Sequence, residues 1–337
     1  MAFDAAAPAV PRDRRRRRYR LRRLAPLGLA VVTAFAAGAW AGAPRHATPA
    51  AASPPAQKPA SHPSTLDADQ PTAKPAVAVA PVKPAVHGPA LLAGKLHYRL
   101  AAASAILVDA GTGQVLFAKH AHERRPIAST TKIMTALLAL QVLAPNELVT
   151  VSPAVTRVPL VREGLRAGEV VRAWKIFYSM LLYSGNDDAL ELAIASAGTK
   201  QAFLRRMNAE AADLGMKDTH YTSPSGVIDD DNYSSAWDLA TVARVALKNP
   251  RFAKIVRTKQ IRVPWSAPTN SKIYINNNLM LREYPGANGV KTGFTHKAGW
   301  CLVTSATRHG RTLIAVVLDS PNMYVDSTKL LDLGFSS

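Results

Sequence analysis

Ser129-Thr-Thr-Lys-Ile-Met-Thr-Ala-Leu-Leu-Ala-Leu140 joins a polar start to an apolar helical run, Ile133 to Leu143, that Pro145 stops. A hydroxyl and an amine three residues apart at the head of a helix share one face. The macrodipole and the unpaired N–H groups at such a start favour developing negative charge. A serine hydroxyl is a weak nucleophile until a base takes its proton. Lys132 can serve as that base only if burial and a neighbouring cation lower its pKa. Read alone, the string also describes a helix cap followed by a solvated lysine, a pattern expected on the order of once per chain of this size.

Two further strings, Ser184-Gly-Asn186 and Lys291-Thr-Gly293, follow in order at spacings of about 55 and 105 residues. The first interrupts a helical region, Val170 to Leu182, that resumes from Asp187 to Ala197. The second, within Gly289-Val-Lys-Thr-Gly-Phe-Thr295, enters a strand. Each has a plain account, a helix break capped by Asn186 and Asp187 or a surface strand lysine. Together they form one mechanism. Ser129 is the nucleophile and Lys132 its base; Ser184 relays a proton between Lys132 and the leaving group, and Asn186 holds a substrate amide. Lys291 is the second cation, keeping Lys132 neutral and attracting an anionic substrate. Gly293 lets substrate backbone approach closely. The backbone N–H groups of Ser129 and Phe294 are the candidate oxyanion hole.

At 337 residues and 48% apolar, the chain can bury a full core. Its formal charge of +19 is uneven: residues 1–23 carry nine Arg against Asp4 and Asp13. An uncharged stretch from Leu24 follows at once, and basic-then-apolar is the pattern of export rather than of a nucleic-acid arm. Residues 24–43 are read as a signal peptide or a transmembrane anchor, long enough for the ~30 Å hydrocarbon layer. Both alternatives place the remainder outside the cytoplasm, periplasmic or otherwise extracytoplasmic. Residues 44–97 are a Pro/Ala-rich tether, with eleven of the 24 prolines between 44 and 90. Cys301, the single cysteine, excludes an intrachain disulfide and reads as core filler in a strand. His120-Ala-His122 lacks metal-site spacing, so no metal or other cofactor is expected.

The folded part, residues 98–337, opens with two β-rich runs, Ser104 to Asp109 and Gln114 to Ala118, around Ala110-Gly-Thr-Gly113. After the two helical regions come a third helix, Lys200 to Leu214, and a short one near Ala236 to Leu247. Strands return from Ile261, with Gly299 to Thr307 and Thr312 to Asp319 hinged at His309-Gly310, and a last helix spans about Val325 to Leu333. Strands at both ends with helices between them predict an α+β domain, an antiparallel sheet built from both ends with a mostly helical region beside it. The cleft between sheet and helices is the natural site.

At the three strings the chain resembles the low-molecular-mass penicillin-binding proteins, the serine D-alanyl-D-alanine carboxypeptidase family. The resemblance extends through Pro126-Ile-Ala-Ser-Thr-Thr-Lys132, Leu182-Tyr-Ser-Gly-Asn-Asp-Asp188, Ser223-Pro-Ser-Gly226, Tyr233-Ser-Ser-Ala236, Asn276-Asn-Asn-Leu279, Ala298-Gly-Trp-Cys-Leu302 and Lys329-Leu-Leu-Asp-Leu-Gly-Phe335. It implies the β-lactamase/DD-peptidase fold, a five-stranded sheet flanked by helices. It also implies removal of the terminal D-Ala from peptidoglycan stem peptides through an acyl-Ser129 intermediate, with β-lactams as covalent inhibitors.

Three departures bear on this. The chain stops after the motif that in the family leads into a β-rich second domain, so any membrane attachment is expected from residues 24–43. Asn288 stands where the family often carries Asp. Met323 stands where many members have an Arg that holds the substrate's terminal carboxylate, which leaves that task to Lys291 and Thr292. The last departure favours the rival reading of a D,D-endopeptidase acting on cross-links. A β-lactamase is disfavoured because no Glu-x-x-Leu-Asn segment follows Asn186. A non-catalytic wall-binding module is disfavoured by the intact Ser129 and Lys132.

Overall fold

A computed structural model describes residues 86–92, 94, 99–159, 161–227, 231–266 and 269–337. The basic segment, the apolar segment 24–43 and most of the tether lie outside the described residues.

β1 (Ser104–Asp109) and β2 (Val115–Lys119) form a hairpin whose turn is held by Asp109, the side chain accepting from the Gly111 and Thr112 N–H groups. After β3 (Arg125–Pro126), a single tight turn at Ala128–Thr131 leads into α1 (Lys132–Val142). This helix is buried from Lys132 to Leu140, so it forms the axis of the helical region. β4 (Leu148–Thr150) pairs with β5 (Val170–Arg172); α2 (Ala173–Tyr178) and α3 (Asn186–Ala197) flank the break at Ser184. α4 (Lys200–Asp213) begins at Thr199, whose side chain accepts from the Ala202 N–H.

β6 (Tyr233–Ser234) pairs with β3, and α5 (Ala236–Lys248) begins at the Ser235 cap. α6 (Pro250–Val256) begins at Asn249 with Pro250 in its first turn. β7 (Gln260–Pro264) and β8 (Ser271–Ile275) form a ribbon, followed by one turn of helix, α7 (Met280–Glu283). β9 (Ala287–Thr295), β10 (Gly299–Arg308), β11 (Arg311–Leu318) and α8 (Met323–Phe335) complete the chain.

The main sheet is antiparallel with order β2-β1-β11-β10-β9, so both ends of the domain meet at its centre. Ile106 lies opposite Val316, and Val316 opposite Val303. Alternation then divides the sheet's side chains between two cores. Leu107, Leu313, Ala315 and Val317 pack with Leu330 and Leu331 of α8. Ile106, Val108, Ile314 and Val316 pack toward α1 and α5. The Asp326 carboxylate closes the seam, accepting from the Ala101 and Ala102 N–H groups (3.2 and 2.7 Å) and from the Ser320 hydroxyl (2.8 Å). This is the α+β sheet built from both ends that the strand pattern predicted.

The helical region differs in detail. Residues 170–172, expected to begin a helix, are strand, because Val170 and Val171 pair with Thr150 and Val149 instead of extending α2. The strands expected from Ile261 begin with the β7-β8 ribbon, whereas the short helices α6 and α7 and the ribbons β3-β6 and β4-β5 carry too little local signal to be read from the sequence and exist through tertiary contact.

The turn that holds Ser129 is clamped from outside. The Thr135 hydroxyl donates to the Pro224 carbonyl at 2.6 Å, and the Asn232 amide donates to Thr131 Oγ1 at 3.2 Å. Gly226 has a left-handed φ of +73°, and a Cβ there would overlap the Ala128 carbonyl oxygen and Thr131 Oγ1. Gly226→Ala is therefore expected to destabilise the domain by at least the left-handed backbone cost of about 1–3 kcal/mol. The check is thermal unfolding: Tm should fall by several degrees, and an unchanged Tm would contradict the clamp.

Candidate active site

Ser129 sits inside the tight turn, three residues ahead of the α-helix proper and not within its first turn. Ala128 before it is left-handed (φ 45°), which turns the chain sharply from β3 into the helix. Lys132, the first residue of α1, is completely buried. Its Nζ has three neighbours: Ser129 Oγ at 2.9 Å, Asn186 Oδ1 at 2.8 Å and the Ser225 carbonyl oxygen at 3.2 Å. Two of these can only accept, and a neutral amine has two N–H groups for them. Its lone pair is then directed at the Ser129 hydroxyl, the arrangement a general base requires.

Electrostatics favour the neutral amine. Burial holds the Lys132 pKa well below the ordinary lysine value, and the Lys291 charge lowers it further; Asp188 and Asp187 act in the opposite sense. Lys291, on β9, is 1% exposed and donates to Ser184 Oγ at 3.1 Å and to the Thr292 carbonyl at 3.0 Å. Burial brings its pKa down to about 7.

Ser184 and Asn186 reach the cleft because the helix between them is broken. Residues 179–183 form one wide turn of five-residue periodicity, and Ser184 is left-handed (φ 80°, ψ 30°). Such widened turns and αL residues are unfavourable, and they persist where surrounding contacts over-determine them. Here the fixing contacts come from α3. Asn186 N–H donates to the Val161 carbonyl at 2.8 Å, while the Asp187 carboxylate accepts from the Glu163, Gly164 and Leu165 N–H groups (2.8, 2.8 and 3.2 Å). The 161–165 loop is thereby fixed to the start of α3. Behind it the Ser179 hydroxyl lies between Glu163 and Asp188, with Glu163 ion-paired to Lys272. Burial raises the Asp188 pKa well above the carboxylate range, and the charges of Asp187 and Glu163 raise it further.

β9 forms the other wall. Opposite Cys301 in the ladder, Gly293 packs so close to the turn that holds Ser129 that a Cβ would come 3.0 Å from the Ser129 amide nitrogen. Phe294 stacks on Trp300 with ring centroids 4.3 Å apart, and both rings are partly exposed. Ser129, Ser184, Thr292, Gly293 and Phe294 all line one cavity of about 810 Å³. Lys132 and Lys291 are buried, reaching its wall through their contacts with Ser129 and Ser184.

All the residues singled out by the three strings thus converge, with different partners for two of them. Ser184 contacts Lys291, and no hydrogen bond joins it to Lys132. Asn186, read as a holder of substrate amide, gives its carboxamide oxygen to Lys132. The Ser225 carbonyl was not foreseen as a partner. Ser223-Pro-Ser-Gly226 was visible as a string, but a backbone oxygen leaves no mark in a side-chain pattern. Cys301 is buried in β10, and burial raises its pKa to about 11, consistent with core filler.

The profile of the D-alanyl-D-alanine carboxypeptidase family matches residues 92–322. The D-alanyl-D-alanine carboxypeptidase DacF of Bacillus subtilis is 33% identical over 244 residues, which cover 70% of this chain and 62% of the Bacillus protein. The chain therefore spans less than two thirds of that relative. A D-alanyl-D-alanine carboxypeptidase of Streptomyces sp. is 36% identical over 256 residues, covering 70% of this chain and 88% of the relative. The crystal structure of the Streptomyces K15 DD-transpeptidase matches with a TM-score of 0.68 at 34% identity, over 71% of this chain and 99% of that one. A cleft built around two buried lysines, on a sheet shared with solved relatives, agrees with these matches: the chain belongs to the serine-type D-alanyl-D-alanine carboxypeptidase family.

Proposed function

We propose that the chain is a D,D-carboxypeptidase that removes the terminal D-Ala of peptidoglycan stem peptides and is acylated by penicillin at Ser129. The observation carrying this reading is the Lys132 environment, with two acceptors for its N–H groups and the Ser129 hydroxyl 2.9 Å from its nitrogen. Lys132 takes the Ser129 proton as Oγ attacks the carbonyl carbon of the penultimate D-Ala. The resulting oxyanion is held by the Ser129 and Phe294 N–H groups. Collapse breaks the peptide bond, and the proton reaches the departing amine of D-Ala through Ser184, whose hydroxyl Lys291 orients. Water then attacks the acyl-Ser129 ester with Lys132 again as base, releasing the shortened stem peptide.

Thr292 and Gly293 line the edge of β9 along which the substrate lies. A D,D-endopeptidase acting on cross-links is the second reading, favoured by Met323 on the cavity wall where a carboxylate-binding cation would suit a carboxypeptidase. The uncharged segment 24–43 is proposed to carry the chain out of the cytoplasm, as a signal or an anchor, with residues 44–97 as spacer to the wall. No helix among the described residues is long and apolar enough to cross a membrane.

Incubation with a defined pentapeptide and with a cross-linked dimer, followed by mass spectrometry, separates the two readings. Release of D-Ala is expected, whereas conversion of dimer to monomer without D-Ala would transfer the assignment to the endopeptidase. Ser129→Ala should abolish both peptide cleavage and labelling by a fluorescent penicillin; persistent labelling would place the nucleophile elsewhere.

The pH dependence of acylation has a definite sign. The reactive form needs Lys132 uncharged, so the rate rises with pH through the depressed Lys132 pKa. The Lys291 cation contributes to that depression. Lys291→Gln removes it, which favours the ammonium form and moves the acidic limb to higher pH. The measurement is the second-order rate of penicillin acylation against pH, and a limb that stays or moves to lower pH refutes the assignment.

A further inference from the structure

The cavity that holds Ser129 has one charged lining side chain among the described residues, Arg282 at the end of α7. We propose that Arg282 binds the free terminal carboxylate of the stem peptide, and so makes the site prefer a chain end to a cross-link; this rests on the peptidase reading above. Three observations carry it.

First, Lys291 is poorly suited to the task. It is 1% exposed, its contacts run to Ser184 and the Thr292 carbonyl, and burial lowers its pKa, which disfavours its charged form. A guanidinium is a permanent charge, and its planar fork matches a carboxylate with two parallel N–H groups.

Second, Arg282 is exposed to the cavity yet anchored. Its Nη2 donates to the Asn276 carbonyl at 2.7 Å, the one hydrogen bond of its side chain among the described residues, which leaves donors for a ligand. Glu283 beside it forms no ion pair with it.

Third, Met323 and Arg282 line the same cavity from different elements. Met323 is buried in the cluster that also holds Met280 and Tyr284, and its side chain offers no donor to a carboxylate. Tyr324, next to Met323, lies within the electrostatic reach of both Glu283 and Arg282, and its hydroxyl donates to the Asn277 carbonyl at 2.9 Å. The cation is therefore on the same wall as Met323, supplied by α7 rather than α8.

The test uses the full chain carrying Ser129→Ala, which binds without acylating, and two ligands: a stem pentapeptide ending in D-Ala-D-Ala, and the same peptide as its C-terminal amide. Calorimetry should show the acid binding about tenfold more tightly than the amide, a modest factor because the guanidinium is solvent-exposed. Arg282→Gln should remove that preference and leave the amide affinity within about twofold, well below the tenfold effect. Arg282→Lys, which keeps the charge, should keep a preference for the acid. Equal affinities in the Ser129→Ala chain, a preference surviving Arg282→Gln, or equal losses for both ligands would each overturn the proposal. Binding of neither ligand would do so too. The nucleophile assignment has its own readout in penicillin labelling of the unsubstituted chain, so the two can fail separately.

Discussion

A primary amine sealed from water, with two acceptors and one hydroxyl around its nitrogen, is the constraint on which the remainder of this structure depends. Keeping an ammonium in such a place would forfeit hydration worth several kcal/mol even after relaxation. A second buried cation nearby adds repulsion to that penalty. Both effects favour the uncharged amine, the form a general base would need. Four separate segments are needed to seal it: α1 carries Lys132, α3 brings Asn186, residues 223–226 bring a carbonyl, and β9 brings Lys291.

Local strain follows from that convergence. The side chains of Ser184 and Asn186 reach one cleft because the chain widens into a five-residue turn and then passes through a left-handed serine. Neither conformation is favourable alone. Asp187 offsets the strain by gathering three N–H groups of the 161–165 loop, a carboxylate doing structural service one residue from the cleft. Gly293 and Gly226 serve the same end from the other sides, since a methyl group at either would press on the turn that holds Ser129.

Much of this was legible beforehand. The β-rich runs Ser104 to Asp109 and Thr312 to Asp319 announced the central strands, and the largely apolar run from Ile133 announced a helix. The three strings named the side chains of the cleft. What escaped notice has a common cause, dependence on partners remote in sequence. Val170 and Val171 are strand because Val149 and Thr150 lie beside them. The Ser225 carbonyl matters only because Lys132 is opposite, and Arg282 is notable only because α7 stands at the rim of the cavity that holds Ser129.

The order of residues alone determined the chemistry on offer: an alcohol, two amines, a carboxamide and a close-packed glycine at spacings suited to acyl transfer. The tertiary structure decided their states and partners, pairing Ser184 with Lys291 and Asn186 with Lys132. Protonation and hydrogen-bond choice are set by distance and access to water, and both come into being only once the helices and the sheet edge have closed around one another.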